Sequence, residues 1–377
     1  MCFNLNRIRP ASALLRSIKA LSRSQYNLQY QLRFKYEYLE PKRTTKSGGD
    51  SAMDGEPKLP WSPFKPCFTF TDAQKELCLK DVNIADIVRE KTERKEFFYG
   101  IETKPLDGDE TACLDFHMFL PQMPEFISVV WTKRFSDAIE EATMARIPNI
   151  QMMPCLTPYI PAMIHMTVYK LTQQHLNDFL DLNLNNVLMI RGDHVEEGQE
   201  YNYAYEAVKY LRCVRSDMAI AVAGYPEGYT NLQVGPRDKE LDMEYMKLKM
   251  DSGADFIVTQ LCYSGDTIVE FLQDARNAGI TAPIMLGILI PESFARYERM
   301  AGFSKVFLTP EQLAEVEPIK DDDDAVMNYF IQLSVRNIQQ TLAANLGVYG
   351  VHFYTLNRFR PILDIIAELR KLGILSC

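Results

Sequence analysis

The sequence predicts an α/β fold of the (β/α)8 barrel (TIM barrel) type. Between about residue 96 and the C-terminus, eight short apolar runs alternate with amphipathic helical stretches. The runs are near-continuously apolar, as parallel strands covered on both faces must be. Their span of about 280 residues suits eight βα units, for which ~250 residues is typical. The competing arrangement, a doubly wound open sheet, loses ground because no GxGxxG follows any of the runs.

Residues 1–66 read as a basic segment followed by a linker. Residues 1–36 contain Arg7, Arg9, Arg16, Lys19, Arg23, Arg33 and Lys35 and no acidic residue, while Ala11, Leu14, Leu15, Ile18 and Leu21 recur at helical spacing. An Arg-rich, acid-free amphipathic start is the composition of a mitochondrial presequence, so the matrix is the expected location. A basic tail on a cytoplasmic protein is the alternative, and Met53 offers a second start. Residues 40–66 are rich in Pro, Gly, Ser and Lys, as linkers are. Residues 67–95 form a lead-in, helical from Asp72 to Lys95, where Leu77, Val82, Ile84 and Ile87 lie among charges.

The barrel then occupies residues 96–377. Its predicted strands are Phe97–Thr103, Phe126–Trp131, Met163–Val168, Asn186–Ile190, Ala219–Ala223, Phe256–Gln260, Ile284–Leu289 and Gly350–Tyr354. Between them, Tyr203, Ala207, Leu211 and Val214 make one helical stripe and Ile268, Phe271, Leu272 and Ala275 another. Gly253 and Gly279 stand where helices end before the next strand.

Charge and cysteine content narrow the function classes. The net charge of -9 combines a basic start, with ten Lys/Arg against three acids in residues 1–50, and a body with 31 against 47. An acidic body excludes a nucleic-acid surface, which needs clustered positive charge. No run of 18 apolar residues predicts a membrane span. The eight cysteines are scattered without a CxxC pair, so reduced thiols are expected and neither a zinc site nor a redox dithiol.

In a (β/α)8 barrel the chemistry lies at the C-terminal strand ends. Glu102 ends the first predicted strand, and a carboxyl among apolar neighbours has a raised pKa suited to a general acid; a lysine-paired carboxylate is the plain alternative. Arg191-Gly192-Asp193 follows the fourth strand, where glycine admits a ligand to the backbone, although a turn salt bridge explains it equally. His165 lies in the third strand, and a core histidine is its default reading. No other histidine stands at metal-ligand spacing from it, so no metal is expected. Tyr225 stands after the fifth strand, and Gln260, whose amide both donates and accepts, ends the sixth. Asp321 to Asp324 fits a helix N-terminus without further role.

Four stretches carry a stronger signal: Val187-Leu188-Met189-Ile190-Arg191-Gly192-Asp193, Val222-Ala223-Gly224-Tyr225-Pro226-Glu227-Gly228, Asp251-Ser252-Gly253-Ala254-Asp255-Phe256-Ile257-Val258-Thr259-Gln260, and His352-Phe353-Tyr354-Thr355-Leu356-Asn357-Arg358. In order and separation they resemble the catalytic domain of the methylenetetrahydrofolate reductase family, from about Glu96 onward.

The resemblance implies an FAD-containing barrel that reduces 5,10-methylenetetrahydrofolate to 5-methyltetrahydrofolate with NADPH or NADH, the folate taking the place of the departed nicotinamide. It implies that Glu102 protonates the nitrogen released as the folate's imidazolidine ring opens, and that Asp193 stabilises the resulting cation. The positions matching flavin contacts are His165, Arg191, Gly192, Asp193, Tyr203, Ala204, Tyr225, Asp242 and Lys249. Arg191 and Lys249 would neutralise the diphosphate. Glu102, Gln260, Leu356 and Arg358 match the folate side.

Four positions depart from the family pattern. Val130 replaces a threonine, Tyr229 a histidine and Leu286 a proline, and Arg296 stands nearest the place of a folate-contacting glutamine. These departures frame the alternative, a folate- or flavin-binding paralogue with impaired turnover. The sequence ends about twenty residues after Arg358, so an S-adenosylmethionine-sensing regulatory domain is not expected. Self-association into a homo-oligomer is compatible with the sequence.

Overall fold

The computed structural model describes residues 67–80, 82–105, 113–139, 143–229 and 238–375. The predicted basic segment and linker, 1–66, lie outside the described residues.

Eight parallel strands close into a barrel: β2 (Phe98–Thr103), β4 (Phe126–Val129), β5 (Ala162–Thr167), β6 (Asn186–Ile190), β7 (Ala219–Gly224), β8 (Phe256–Thr259), β9 (Ile284–Ile288) and β10 (Gly350–Phe353), with β10 hydrogen-bonded to both β9 and β2. This is the predicted (β/α)8 architecture, each strand falling within one or two residues of its apolar run. The second run stops at Val129 and not Trp131. Trp131 turns away to donate its indole N–H to Ser136 Oγ at 2.7 Å, in helix α3 (Lys133–Asp137).

The outer helices are α3 with α4 (Pro148–Leu156), α5 (Gln173–Asp181), α6 (Ala204–Val214), α7 (Lys239–Asp251), α8 (Gly265–Asn277), α9 (Phe294–Ser304) with α10 (Pro310–Val316) and α11 (Asp323–Ala343), and α12 (Arg360–Lys371). The first βα unit departs from the repeat. Between β2 and β4 the described residues form a short strand β3 (Cys113–Asp115) and a 3-10 turn at Phe116–Phe119, whose Phe116 and Phe119 are fully buried. Strand β1 (Cys67–Thr69) pairs with β3 as a separate parallel ribbon.

The helical stripes behave as their periodicity requires, with two exceptions, Val214 and Tyr203, the latter the half-buried N-cap of α6. Ile268, Phe271, Leu272 and Ala275 of α8 are buried, as are Ala207 and Leu211 of α6. Val214 is exposed, because α6 ends there and its last turn clears the sheet. Asp322 caps α11 through Ala325 N–H at 3.0 Å, and Asp323 and Asp324 sit in its first turn, where negative charge is favourable.

The helical reading of 72–95 resolves into two helices, α1 (Asp72–Leu77) and α2 (Ile84–Glu93). The break falls at Cys78, which is left-handed at φ 44°. Helix α2 floors the barrel. Its Ile84, Ala85 and Val88 join the interior residues Phe98, Phe126, Met163, Leu188, Phe256 and Met285 in one apolar cluster. Asn186 fastens it there. Its Oδ1 accepts from Ile84 N–H at 2.8 Å, and its Nδ2 donates to Val82 O at 2.9 Å and Ala162 O at 3.2 Å.

Candidate active site

Alternation along the strands turns every second side chain inward, so the interior is built in layers. Above the apolar floor lies a polar layer: Ser128 of β4, His165 of β5 and His352 of β10, all buried. Ser128 Oγ is 2.9 Å from His165 Nε2 and 3.0 Å from His352 Nε2. Burial pushes His165 down to about 4, and burial followed by the neighbouring His165 pushes His352 down to about 3, so both rings are neutral. His352 Nδ1 is buried with no hydrogen-bond partner. A bare nitrogen lone pair is cheaper to orphan than an N–H. This assigns the proton of His352 to Nε2, which donates to Ser128, and makes Ser128 the donor to His165.

At the mouth, Glu102 of β2 stands in register with Ser128 of β4 and is 5% exposed. Its carboxyl is raised to about 7 by burial, against smaller opposing effects of the Leu356 N–H, which lies 3.4 Å from Oε1, and of Lys104. Thr355 Oγ1 donates to the Glu102 carbonyl at 2.7 Å, tying the ends of β2 and β10 together. A buried acid with this affinity is half-protonated near neutral pH, as a general acid requires.

Tyr354 stands beside Glu102 and donates its hydroxyl to Thr259 O at 2.7 Å. It fits only because Gly287 faces it: a Cβ there would lie 2.0 Å from Thr259 O and 2.5 Å from the Tyr354 ring. Gln260 follows β8, its backbone N–H bonded to Gly224 O and its Oε1 accepting from Leu261 N–H at 2.9 Å. That leaves the Gln260 amide NH2 to donate to a ligand. Leu356 is 40% exposed at the rim.

Between the ends of β6 and β7 and the starts of α6 and α7 opens a cavity of about 450 Å³. Its wall contains Arg191, Tyr203, Ala204, Tyr225, Asp242 and Lys249 from the sequence reading, and Tyr205, Tyr229, Leu241 and Tyr245 besides. The Arg191 guanidinium lies over Tyr203 at 4.9 Å and Tyr229 at 5.7 Å, and Tyr203 stacks on Tyr245 at 4.8 Å. Lys249 is buried, donates to the Ala223 carbonyl and lies over the Tyr225 ring. Burial pulls it down to about 8, against the opposing charge of Asp242.

Gly192, next to Arg191, has φ +79°, a conformation that favours glycine, and a Cβ there would meet Thr167 Cβ at 3.2 Å. Tyr229, the residue departing from a histidine, donates its hydroxyl to Gly192 O at 2.8 Å and its N–H to Asp242. It thus joins the β7 loop to the β6 loop. Asp193 is exposed beside this wall, near Tyr225.

Apart from Asp193 and Arg358, the predicted residues divide into three groups. Arg191, Tyr203, Ala204, Tyr225, Asp242 and Lys249 line the cavity, with Gly192 bonded to its wall through Tyr229; Glu102, Gln260 and Leu356 surround the barrel axis; His165 lies in the polar layer. Arg358 sits on the outer rim, its Nε 3.9 Å from Glu292, and Arg296 Nε lies 3.6 Å from the same carboxylate. Of the other departures, Val130 donates its N–H to Thr103 O at the head of β4, and Leu286 is buried in the barrel wall. Ser128, His352, Tyr205 and Tyr245 escaped the sequence reading. A serine within an apolar run and tyrosines on helix flanks carry no signal of their own. Among the described residues, no three His, Cys, Asp or Glu side chains converge as a metal site requires, and no helix is long and apolar enough to cross a membrane.

A family model described as methylenetetrahydrofolate reductase matches residues 88–370. The chain is 30% identical over 310 residues to methylenetetrahydrofolate reductase (NADH) 1 of Arabidopsis thaliana, covering 76% of this chain and 51% of that protein. It is 32% identical over 220 residues to a probable methylenetetrahydrofolate reductase (NADPH) of Caenorhabditis elegans, covering 56% and 32%. The chain thus spans about half the length, or less, of these curated relatives. Among solved structures, an uncharacterized protein from Clostridium thermocellum that binds two copies of 5-methyl-5,6,7,8-tetrahydrofolic acid shares the fold at a TM-score of 0.52 and 12% identity, covering 76% of this chain and 98% of that one.

Proposed function

Because the chain belongs to the methylenetetrahydrofolate reductase family, we propose that it reduces 5,10-methylenetetrahydrofolate to 5-methyltetrahydrofolate, with FAD as its cofactor and NADPH or NADH as the reductant. One observation carries this reading: Glu102, buried and raised to about 7, stands at the same barrel mouth as a cavity walled by tyrosines and two cations.

The cavity fits a dinucleotide on the chemistry of its wall. Its volume lies in the usual range for a cofactor site. Arg191 and Lys249 supply positive charge for a diphosphate in a protein of net charge -9. Tyr203, Tyr205 and Tyr245 present aromatic faces to a planar base. When bound, FAD would carry hydride from nicotinamide to folate.

The chain's own residues do the rest. Glu102 holds the proton that the folate nitrogen needs as its ring opens, and burial keeps that proton in place near neutral pH. Gln260 offers donors to the edge of a heterocycle. Asp193 contributes negative charge beside the site where positive charge develops. Arg358, with Arg296 joined to it through Glu292, suits the anionic end of the folate. Residues 1–36 would direct the protein to mitochondria, which import into isolated organelles tests.

The decisive experiment follows the flavin band of the purified protein. Bleaching by NADPH or NADH, followed by reoxidation on adding methylenetetrahydrofolate, is the expected result. Bleaching without folate-driven reoxidation overturns the reductase reading. Tyr229, Val130 and Arg296, which depart from the family pattern, favour the second reading in that event: a folate- or flavin-binding paralogue, identified by folate binding without turnover.

A further inference from the structure

Strands β1 and β3 run parallel with Cys67 directly opposite Cys113. Both residues are exposed, neither is in a disulfide, and the two side chains are hydrogen-bonded to each other. Residues paired in register point to the same face. Neighbouring strands lie ~4.8 Å apart, inside the ~4.4–6.8 Å Cα separation that a disulfide spans. Thr69 and Asp115, also paired, share that solvent-facing side, so no apolar packing accounts for two cysteines there. The remaining described cysteines, Cys78, Cys155, Cys213 and Cys262, lie elsewhere in the chain.

We propose that Cys67 and Cys113 form a modification site, a thiol pair that a small disulfide oxidant closes into a cross-strand disulfide. The exchange balances without any other reactant. One cysteine thiolate attacks a glutathione disulfide, forming a mixed disulfide and expelling one glutathione thiolate. The second cysteine, deprotonated, attacks the protein sulfur of that mixed disulfide and expels the other. Two protein thiols are oxidised to one disulfide, one glutathione disulfide is reduced to two thiols, and the two protons pass to the glutathione thiolates. The hydrogen bond to Cys113 holds the Cys67 thiol above its ordinary value.

The bond would tie the chain entering the barrel floor to the chain that has left β2, eleven residues beyond Glu102. It would enclose α1, α2 and β2 in one covalent loop. Closing a loop of this length removes freedom from the unfolded chain, so the oxidised protein should melt higher.

The test uses the full-length protein, incubated with glutathione disulfide, alkylated and digested without reduction. The expected product is a linked peptide pair containing Cys67 and Cys113, two hydrogens lighter than its parts. It should be reversed by dithiothreitol and absent from Cys67→Ser and Cys113→Ser. The unfolding midpoint should rise by on the order of 5 °C in the wild type and stay fixed in both variants. A stable glutathione adduct on either cysteine without the link, or a link from either one to another cysteine, overturns the proposal.

Discussion

Ser128 Oγ lies 2.9 Å from His165 Nε2 at the centre of the barrel, and the same hydroxyl meets His352 Nε2 from the other side at 3.0 Å. One hydroxyl thus bonds one nitrogen of each of two buried, uncharged imidazoles. Ser128→Ala removes a donor and an acceptor at once and strands two ring nitrogens. The expected loss is about 2–4 kcal/mol, each unsatisfied buried group costing ~1–3. Urea unfolding measures it, and a loss below ~1 kcal/mol contradicts the network.

The carboxyl of Glu102 makes stability depend on pH in a definite direction. Its affinity is raised from 4.5 to about 7, so the fold prefers the protonated form. The stability it contributes is complete below pH 4.5 and is lost as pH rises through about 7, by roughly 3 kcal/mol at most. Glu102→Gln keeps the neutral shape and should flatten that decline. In the proposed reaction, folate reduction should fall as pH rises through about 7 in the wild type. In the variant, folate reduction should drop by two or more orders of magnitude while flavin reduction by nicotinamide is retained. Normal folate turnover by Glu102→Gln removes the acid from the scheme.

His165 and His352 act in the opposite sense. Their ring affinities are depressed from 6.5 to about 4 and about 3, so the fold prefers them neutral. Their contribution is present above pH 6.5 and lost as pH falls through 4 and 3. Two imidazoles outweigh one carboxyl, so these three groups together weaken the fold on acidification below pH 6.5. The carbon-bound ring protons of both histidines should keep their neutral NMR positions down to about pH 5; titration near 6.5 contradicts their burial.

Tyr229→Phe deletes the hydroxyl that bridges the β7 loop to the Gly192 carbonyl and leaves the aromatic wall intact. A single neutral hydrogen bond contributes about 1 kcal/mol. If the cavity holds the proposed flavin, its affinity, measured by fluorescence titration of the apoprotein, should weaken roughly fivefold, because Gly192 and Arg191 are then less firmly held. Unchanged affinity places the bridge outside the binding wall.

Gly287→Ala introduces a methyl 2.0 Å from Thr259 O and 2.5 Å from the Tyr354 ring. Backbone cannot yield as a flexible side chain does, so the barrel must shift or Tyr354 must leave its bond. A cost above ~2 kcal/mol is expected in thermal or urea unfolding.

The barrel was legible because its strands are covered on both faces, and eight apolar runs separated by helical periodicity have few other solutions. Glu102 was legible for a similar reason: a carboxyl at the end of such a run has nowhere dry to hide except the mouth. The polar layer was not. Ser128 is one small residue in an apolar run, and nothing in its neighbours reveals that it meets His165 and His352, which are far away in the chain. The Cys67 and Cys113 pair was hidden in the same way, since 46 positions and most of the lead-in separate two residues that strand register makes neighbours. Spacing rules read contacts along one element; these contacts arise only once the sheet closes.

Helix α2 has a consequence for traffic. Ile84 and Val88 close one end of a cylinder already filled by Phe98, Phe126 and Phe256, so anything that reaches Glu102 comes from the other end. In the proposed reaction, two reactants that need the same spot above Glu102 would therefore take turns, the first departing before the second is admitted.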